Sequence, residues 1–381
     1  MDAKTERVVL VHDWLTGMRG GEKCLEVACR RWPEAPLFTL LHRPGSVTRT
    51  IESRPIHTSW MQRLPRVGRY YRYLLPLMPG AARGWSIPDC DLVLSFSHCV
   101  AKSAIAPLGA VHVCYCFTPM RYAWHMRQAY FGDRLSPGTM ARDRMLARLR
   151  EWDRQTAKGV TYFVAISQTV QGRIRECYGR ESEVIYPPVD TEFYTPAAVP
   201  RENYYLVVSA FAPYKRLDLA IEACQRLKRP LVLIGQGQDE PRLRARASGE
   251  VHFLGWQPDR VIRDHLRRCR ALLFPGEEDF GIVPVEAQAC GAPVIAYGRG
   301  GATETVIGPN DGAEPTGLFF PDQTAQALSD AILDFERAGR AFSSQAARRQ
   351  ALRFNSRRFE AEFFAHLEYC LGREQPERRA A

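Results

Sequence analysis

The chain has 381 residues, 45% of them hydrophobic and 25% charged, the make-up of an ordinary soluble globular protein with room for about two domains. No window approaches the ~18 apolar residues of a membrane span, which excludes a membrane-embedded bundle. The net charge of +10 is almost wholly arginine, with lysine at six positions, and suits anionic lipid, phosphorylated ligands or nucleic acid. Nucleic acid is the least favoured, because the arginines are spread over many predicted helices and no recognition module is legible.

In chain order, Val8 to Val11 predicts the first strand. These four apolar residues are too few for a signal peptide. The loop His12–Gly21 and a helix from about Glu22 to Arg31 follow. Glycines at 20 and 21 let the backbone approach a phosphate at the helix start, and a plain glycine turn is the alternative.

Residues 54–85 interleave Arg54, Arg63, Arg66, Arg69, Arg72 and Arg83 with Trp60, Tyr70, Tyr71, Tyr73, Leu74, Leu75, Leu77, Met78 and Trp85. Such a mixture fits either an anionic membrane surface or a cationic face with its aromatics turned inward. Asp91–Phe96, Val111–Cys116 and Tyr162–Ile166 predict further buried strands, and a long Arg-rich helix spans about 139–158. Strands alternating with helices make this half a parallel, doubly wound sheet.

The prolines at 187, 188, 196 and 200 mark a linker. A second βαβ series follows, with strands at Tyr204–Val208, Leu231–Ile234 and Val251–Leu254 and helices at Leu217–Leu227 and Asp259–Cys269. The tail is helical and, after Arg373, expected to lack structure. The eleven cysteines are scattered, odd in number and without zinc-ligand spacing, so reduced buried thiols are expected.

The most informative stretch is Phe274–Ala296. Ala271–Phe274 predicts a strand, Pro275-Gly276 and three acidic residues a turn, and Pro284 the first residue of a helix that Gly291 stops. Val294–Ala296 resumes as strand. In a parallel sheet, ligands bind where a strand feeds such a turn. Glu278 and Glu286 frame the turn, and Glu286 is the only charge between Gly281 and Gly298. Its partner is either a helix cap, as third residue after Pro284, or ligand hydroxyls. Lys215 and Arg216, set to open a helix after the second half's first strand, place two cations where a diphosphate would offset the helix-dipole penalty.

EDFGIVPVEAQACGAPVIA, with PYKRLD before it and GGATETV after it, resembles the donor domain of retaining glycosyltransferase family 4, whose fold is GT-B. IYPPVDTEFYTP, VHFLGW and TGLFFPDQTAQAL are similar to that family's linker, nucleobase-loop and late-domain segments, in the same order. HDWLTGMRGGEK and CYCFTPMRYAWH resemble bacterial mannosyltransferases of O-antigen and exopolysaccharide assembly. The resemblance implies an α/β protein with two Rossmann-like doubly wound domains facing across a cleft. They would comprise an acceptor-binding domain at 1–190, a donor domain at 191–354 and a helix and tail at 355–381 packing back on the first.

It also implies roles. Glu278 would contact the donor sugar, with the backbone N–H groups of Phe280, Gly281 and Ile282 holding sugar and β-phosphate. Glu286 would take the ribose hydroxyls. Lys215, helped by Arg216, would neutralise the departing diphosphate, and Gly20 and Gly21 would approach that diphosphate. Trp256 would lie by the nucleobase. No metal and no cofactor are implied. The donor would be GDP-mannose, the acceptor a lipid-linked glycan, and the place of action the inner face of the cell membrane.

The sequence departs from the family where an arginine is usual within Ser209–Ala212, and at Phe117, where a histidine is usual; His125, eight residues on, is assigned a packing or surface role. The rival readings are a GT-B nucleotide-sugar epimerase and an inactive nucleotide-sugar-binding module. No dinucleotide fingerprint follows the first strand, which disfavours a dehydrogenase.

Overall fold

The computed structural model describes residues 6–125 and 137–380. Two compact units emerge. The first comprises residues up to Pro187 together with Phe359 onward, and the second comprises Pro188–Arg358. The sequence boundaries stood at 190/191 and 354/355. The change of unit falls between two adjacent prolines, residues that lack an N–H and cannot extend a central strand.

The first unit carries seven parallel strands: β1 (Val8–His12), β2 (Leu37–Thr39), β3 (Ile56–Thr58), β4 (Leu92–Ser97), β5 (Val111–Cys116), β6 (Tyr162–Ala165) and β7 (Ser182–Val184). Their spatial order is β3-β2-β1-β4-β5-β6-β7. β1, β4 and β5 are buried at every position, as expected of central strands covered on both faces. β2, β3 and β7 have three residues each, too short for a periodic signal, and the sequence reading missed them.

The second unit repeats the plan with six parallel strands: β8 (Tyr205–Val208), β9 (Leu231–Ile234), β10 (Val251–Gly255), β11 (Leu272–Phe274), β12 (Val294–Tyr297) and β13 (Gly317–Phe320). Their order is β10-β9-β8-β11-β12-β13. In each unit the sequence-first strand lies inside the sheet and the order reverses beside it. That reversal opens a crevice at the strands' carboxyl ends.

Five helices matter below: α1 (Gly20–Arg31), α2 (Pro137–Ala157), α3 (Leu217–Arg226), α4 (Ile282–Ala289) and α5 (Ser356–Ala380). α5 continues past Arg373, where the sequence reading ended ordered structure. Its Phe359 and Phe363 rings lie 5.7 and 5.3 Å from Tyr115 on β5, and Phe363 lies 6.2 Å from Phe96 on β4. Burying aromatic area of this kind ties the chain's end to the first sheet. All eleven cysteines are buried free thiols.

The basic aromatic stretch divides. Met61, Tyr71, Leu75, Met78 and Trp85 join the core, while Trp60, Tyr73 and Leu77 are 45%, 84% and 46% exposed. Arg54, read from the sequence as a surface cation, is only 5% exposed. Its guanidinium donates to the carbonyls of Cys29, Trp32 and Thr50 at 2.9 Å, closing the C-terminal end of α1. A guanidinium carries five donors in a fixed fork, which is why it can staple several carbonyls at once.

Candidate active site in the second unit

β8 ends at Val208 and the chain turns through Ser209–Ala212 into a tight 3-10 turn, Pro213–Lys215. Lys215 and Arg216 therefore precede α3 and do not open it, a correction to the sequence reading. Arg216 is the residue before the helix and sits at φ 53°, a left-handed conformation uncommon outside glycine. The tight turn aims consecutive side chains in different directions. Lys215 turns inward to an ion pair with Glu278, their side chains 16% and 12% exposed. Arg216 instead reaches Asp218 at 3.3 Å.

The Lys215–Glu278 pair sits in a hollow at the carboxyl ends of β8 and β11, walled by Val208, Ser209, Phe274 and Gly276. Gly276 keeps this wall open, since a Cβ would stand 3.0 Å from the Lys215 Cα and press on the turn. The acidic turn is braced from behind by a feature that the sequence reading quoted without a structural role. Gly301 N–H donates to the Glu278 carbonyl at 2.8 Å, and Gly300 pairs with Glu278 as an isolated parallel bridge. A Cβ on Gly301 would lie 2.3 Å from the Phe280 Cα, and one on Gly300 2.5 Å from the Glu278 oxygen. Only glycines let these two backbones approach so closely. The double glycine was visible in the sequence, but nothing there says what it touches.

α4 starts at Ile282, two residues earlier than expected, with Gly281 before it at φ 88°. Pro284 is thus the third helical residue. It is tolerated because the first four N–H groups of a helix have no intrahelical acceptor. The shift puts Glu286 five residues into α4, beyond the third position of a capping box, so the capping alternative falls. Gly291 ends the helix at φ 81°, as its left-handed stop required.

Glu286 is 6% exposed and does not line the hollow shared by Lys215 and Glu278. Burial, with the Glu286 charge adding to it, raises the Tyr194 hydroxyl pKa. Burial likewise pushes the Cys290 thiol up to about 12, Glu286 again adding. Trp256 follows β10 and is 66% exposed, and Phe280 is buried with its ring 5.6 Å from Phe354. Of the residues singled out from the sequence, the hollow gathers Lys215 and Glu278; Arg216, Trp256, Phe280, Gly281, Ile282 and Glu286 are not among its walls.

The remaining two lie in the first unit. Gly20 and Gly21 are the opening residues of α1, whereas the sequence reading left them in the loop. A Cβ on Gly21 would stand 3.1 Å from the Phe117 ring and 3.4 Å from His12 Nε2. His125 meets the Cys177 sulfur at 3.4 Å, consistent with a packing role.

A cation and a carboxylate at the strand ends of a parallel sheet are groups that bind anionic and hydroxylated ligands respectively. Residues 190–353 match the family "Glycosyl transferases group 1". A D-inositol 3-phosphate glycosyltransferase from Mycobacteroides abscessus is 31% identical over 192 residues, covering 44% of this chain and 42% of that protein. The O-antigen chain mannosyltransferase C of Escherichia coli is 29% identical over 138 residues, 34% of this chain and 36% of that one. The chain thus spans less than half the length of these curated relatives.

Among solved structures, Anabaena HepE in complex with UDP and glucose superposes with a TM-score of 0.68 at 19% identity, covering 95% of this chain and 99% of that one. Sucrose-phosphate synthase from Thermosynechococcus elongatus gives 0.70 at 15%, covering 96% and 99%. The second unit, over residues 190–353, is therefore similar to the group 1 glycosyl transferases, and the whole chain has two Rossmann-like parallel-sheet domains with GT-B structural neighbours.

Proposed function

We propose that this protein is a retaining, metal-independent glycosyltransferase that moves mannose from GDP-mannose onto a lipid-linked glycan in surface polysaccharide assembly. The observation that carries the reading is the Lys215–Glu278 pair in its hollow, inside the stretch that matches the glycosyl transferase family. The HepE structure with UDP and glucose and the mannosyltransferase similarity support a nucleotide sugar as the substrate class.

In this reading the bond from the anomeric carbon to the diphosphate breaks through an oxocarbenium-like state. Lys215 takes the negative charge growing on the leaving group, because a cation already in place costs no reorganisation as the charge develops. Glu278, released from Lys215 by the incoming diphosphate, accepts hydrogen bonds from sugar hydroxyls. The N–H groups of Phe280, Gly281 and Ile282 at the start of α4 hold sugar and β-phosphate. Glu286 takes the ribose hydroxyls, Trp256 borders the base, and Gly20 and Gly21 approach the diphosphate. The acceptor hydroxyl attacks from the face the diphosphate leaves, and the phosphate takes its proton.

The test is a panel of GDP-mannose, UDP-glucose and UDP-N-acetylglucosamine incubated with the purified chain. Slow hydrolysis of GDP-mannose, exceeding that of the other two, is expected. Absence of binding and hydrolysis for every donor would overturn the reading.

The lipid-linked acceptor calls for work at the cytoplasmic face of a membrane. Among the described residues no helix is long and apolar enough to cross one. Trp60, Tyr73 and Leu77, exposed among Arg63, Arg66, Arg69, Arg72 and Arg83, offer a peripheral dock combining apolar insertion with attraction to anionic lipid. The protein should sediment with phosphatidylglycerol vesicles and not with phosphatidylcholine vesicles. Tyr73→Ser with Trp60→Ser should abolish the difference, and equal sedimentation with both lipids would refute the dock.

A further inference from the structure

The second unit holds another cavity, about 340 Å3 in volume, at the opposite edge of its sheet from Lys215 and Glu278. Arg201, Glu202 and Asn203 lead into β8, Arg270 leads into β11, and Phe335 and Glu336 close the helix Ala325–Ala338; all six are among its walls. The two strands are parallel neighbours, so this is the amino-terminal edge, where nothing in the transferase reading has a role.

Charge decides what such a cavity can hold. Glu336 is fully engaged: Arg229 Nε and Nη2 donate to its two oxygens at 2.8 Å, the Tyr205 hydroxyl donates at 3.0 Å, and Arg270 Nη1 stands 3.1 Å away. The bonds from Arg229, above all, hold its carboxyl below the ordinary value. Glu202 pairs with Arg268 at 3.0 Å. The guanidinium groups of Arg201, Arg229, Arg268 and Arg270 thus face two carboxylates, an excess of two positive charges. The carbonyl end of the helix Ala325–Ala338 offsets only about half a charge.

Arg201 shows where the excess sits. Its Nη1 donates to the Cys269 carbonyl at 2.8 Å, and its Nη2 to Ser344 Oγ at 3.1 Å and to the Gly291 carbonyl, all neutral acceptors. Desolvation lowers its pKa, and no carboxylate among the described residues acts against that. Arg270 spends Nη1 on Asn203 and Glu336, and its Nη2 makes no hydrogen bond among the described residues. The β8–β11 pairing holds the two segments together, so no ligand is needed to assemble them. Phe335, buried with its ring 5.2 Å from Phe342, supplies an apolar wall.

We propose that this cavity is a binding site for a small phosphomonoester, with Arg201 and Arg270 holding the phosphate and Phe335 and Asn203 lining the space for its organic part. A phosphomonoester carries about 1.5 to 2 negative charges near pH 7 and matches the excess, whereas a carboxylate would leave about half of it unmet. Planar guanidinium forks also suit phosphate oxygens.

Isothermal titration calorimetry on the full chain at fixed ionic strength tests this with mannose 6-phosphate, inorganic phosphate and mannose. Mannose 6-phosphate should bind at a single site with a dissociation constant below about 1 mM, inorganic phosphate about tenfold more weakly and mannose not at all. Lys215→Met should bind it equally, because the donor hollow takes no part. Asn203→Glu, which places a carboxylate beside Arg270, should weaken binding by about tenfold or more, and Arg201→Gln by a similar factor. Arg201 also holds backbone carbonyls, so thermal melts accompany both variants, and Asn203→Glu alone decides if Arg201→Gln unfolds.

Binding that is absent in wild type, lost in Lys215→Met or unchanged in Asn203→Glu would overturn the site. Equal affinity for inorganic phosphate would overturn the phosphomonoester. Neither result touches the transferase reading, which rests on donor hydrolysis at Lys215 and Glu278.

Discussion

Lys215→Met is expected to lower donor turnover by about 100- to 1,000-fold, the range seen when one preorganised charge-stabilising group is removed. The same change should also destabilise the fold. It strands the Glu278 carboxylate, 12% exposed, without its cation. A deeply buried pair loses about 3–5 kcal/mol when one partner goes, and partial exposure here brings the expectation to about 1–3 kcal/mol. Glu278→Gln should likewise abolish most turnover, since an amide offers sugar hydroxyls one neutral acceptor where the carboxylate offers two charged ones.

The double variant distinguishes chemistry from scaffolding. With both charges gone no lone ion remains, so stability should return to near the wild-type level while turnover stays lost. Thermal melts alongside donor hydrolysis report the two effects separately. A Lys215→Met protein turning over within threefold of wild type would remove Lys215 from the mechanism. A double variant that regained activity would show that the pair serves folding alone.

Acid is expected to destabilise the protein well before its carboxylates titrate, and His112 is the cause. It lies on β5, fully buried, with Nε2 2.8 Å from the Ser95 hydroxyl on β4. Burial lowers its pKa from 6.5 to about 4, because a charged imidazole finds no water there. The folded value lies below the unfolded one, so the contribution is fully present above about pH 6.5. It is lost progressively as pH falls toward about 4, where the folded state also takes the proton.

A shift of roughly 2.5 pH units corresponds to about 3 kcal/mol, a large share of the stability of a typical domain. His12, also buried with its pKa lowered by burial, adds to the slope in the same direction. Denaturant midpoints between pH 7 and 4 should therefore fall for wild type and fall less for His112→Gln. Parallel curves for the two proteins would exclude His112 as the sensor.

How far the sequence reached can be argued from particular residues. Val8–Val11, Val111–Cys116 and Leu231–Ile234 are apolar runs bounded by turns, and such runs in a βαβ rhythm leave little besides buried parallel strands. Gly291 needed a left-handed stop, and the structure supplies it. β3 and β7 escaped because exposed three-residue edge strands leave no pattern. Pro284 misled by two residues because a proline is permitted anywhere in the first turn, not at its first residue alone.

Two parallel-sheet units and the acidic strand–turn–helix of 274–296 were thus set by local rules: apolar runs, glycine and proline positions, and a charge in apolar surroundings. Tertiary structure alone decided which charges meet. Lys215 and Glu278, 63 residues apart in the chain, become partners because β8 and β11 are neighbours in the sheet. Arg216, adjacent to Lys215, is turned away to Asp218 by one left-handed residue. Arg201 and Arg270 were unremarked in the sequence for the same reason, since the β8–β11 pairing that joins their segments is a long-range contact that no local pattern encodes.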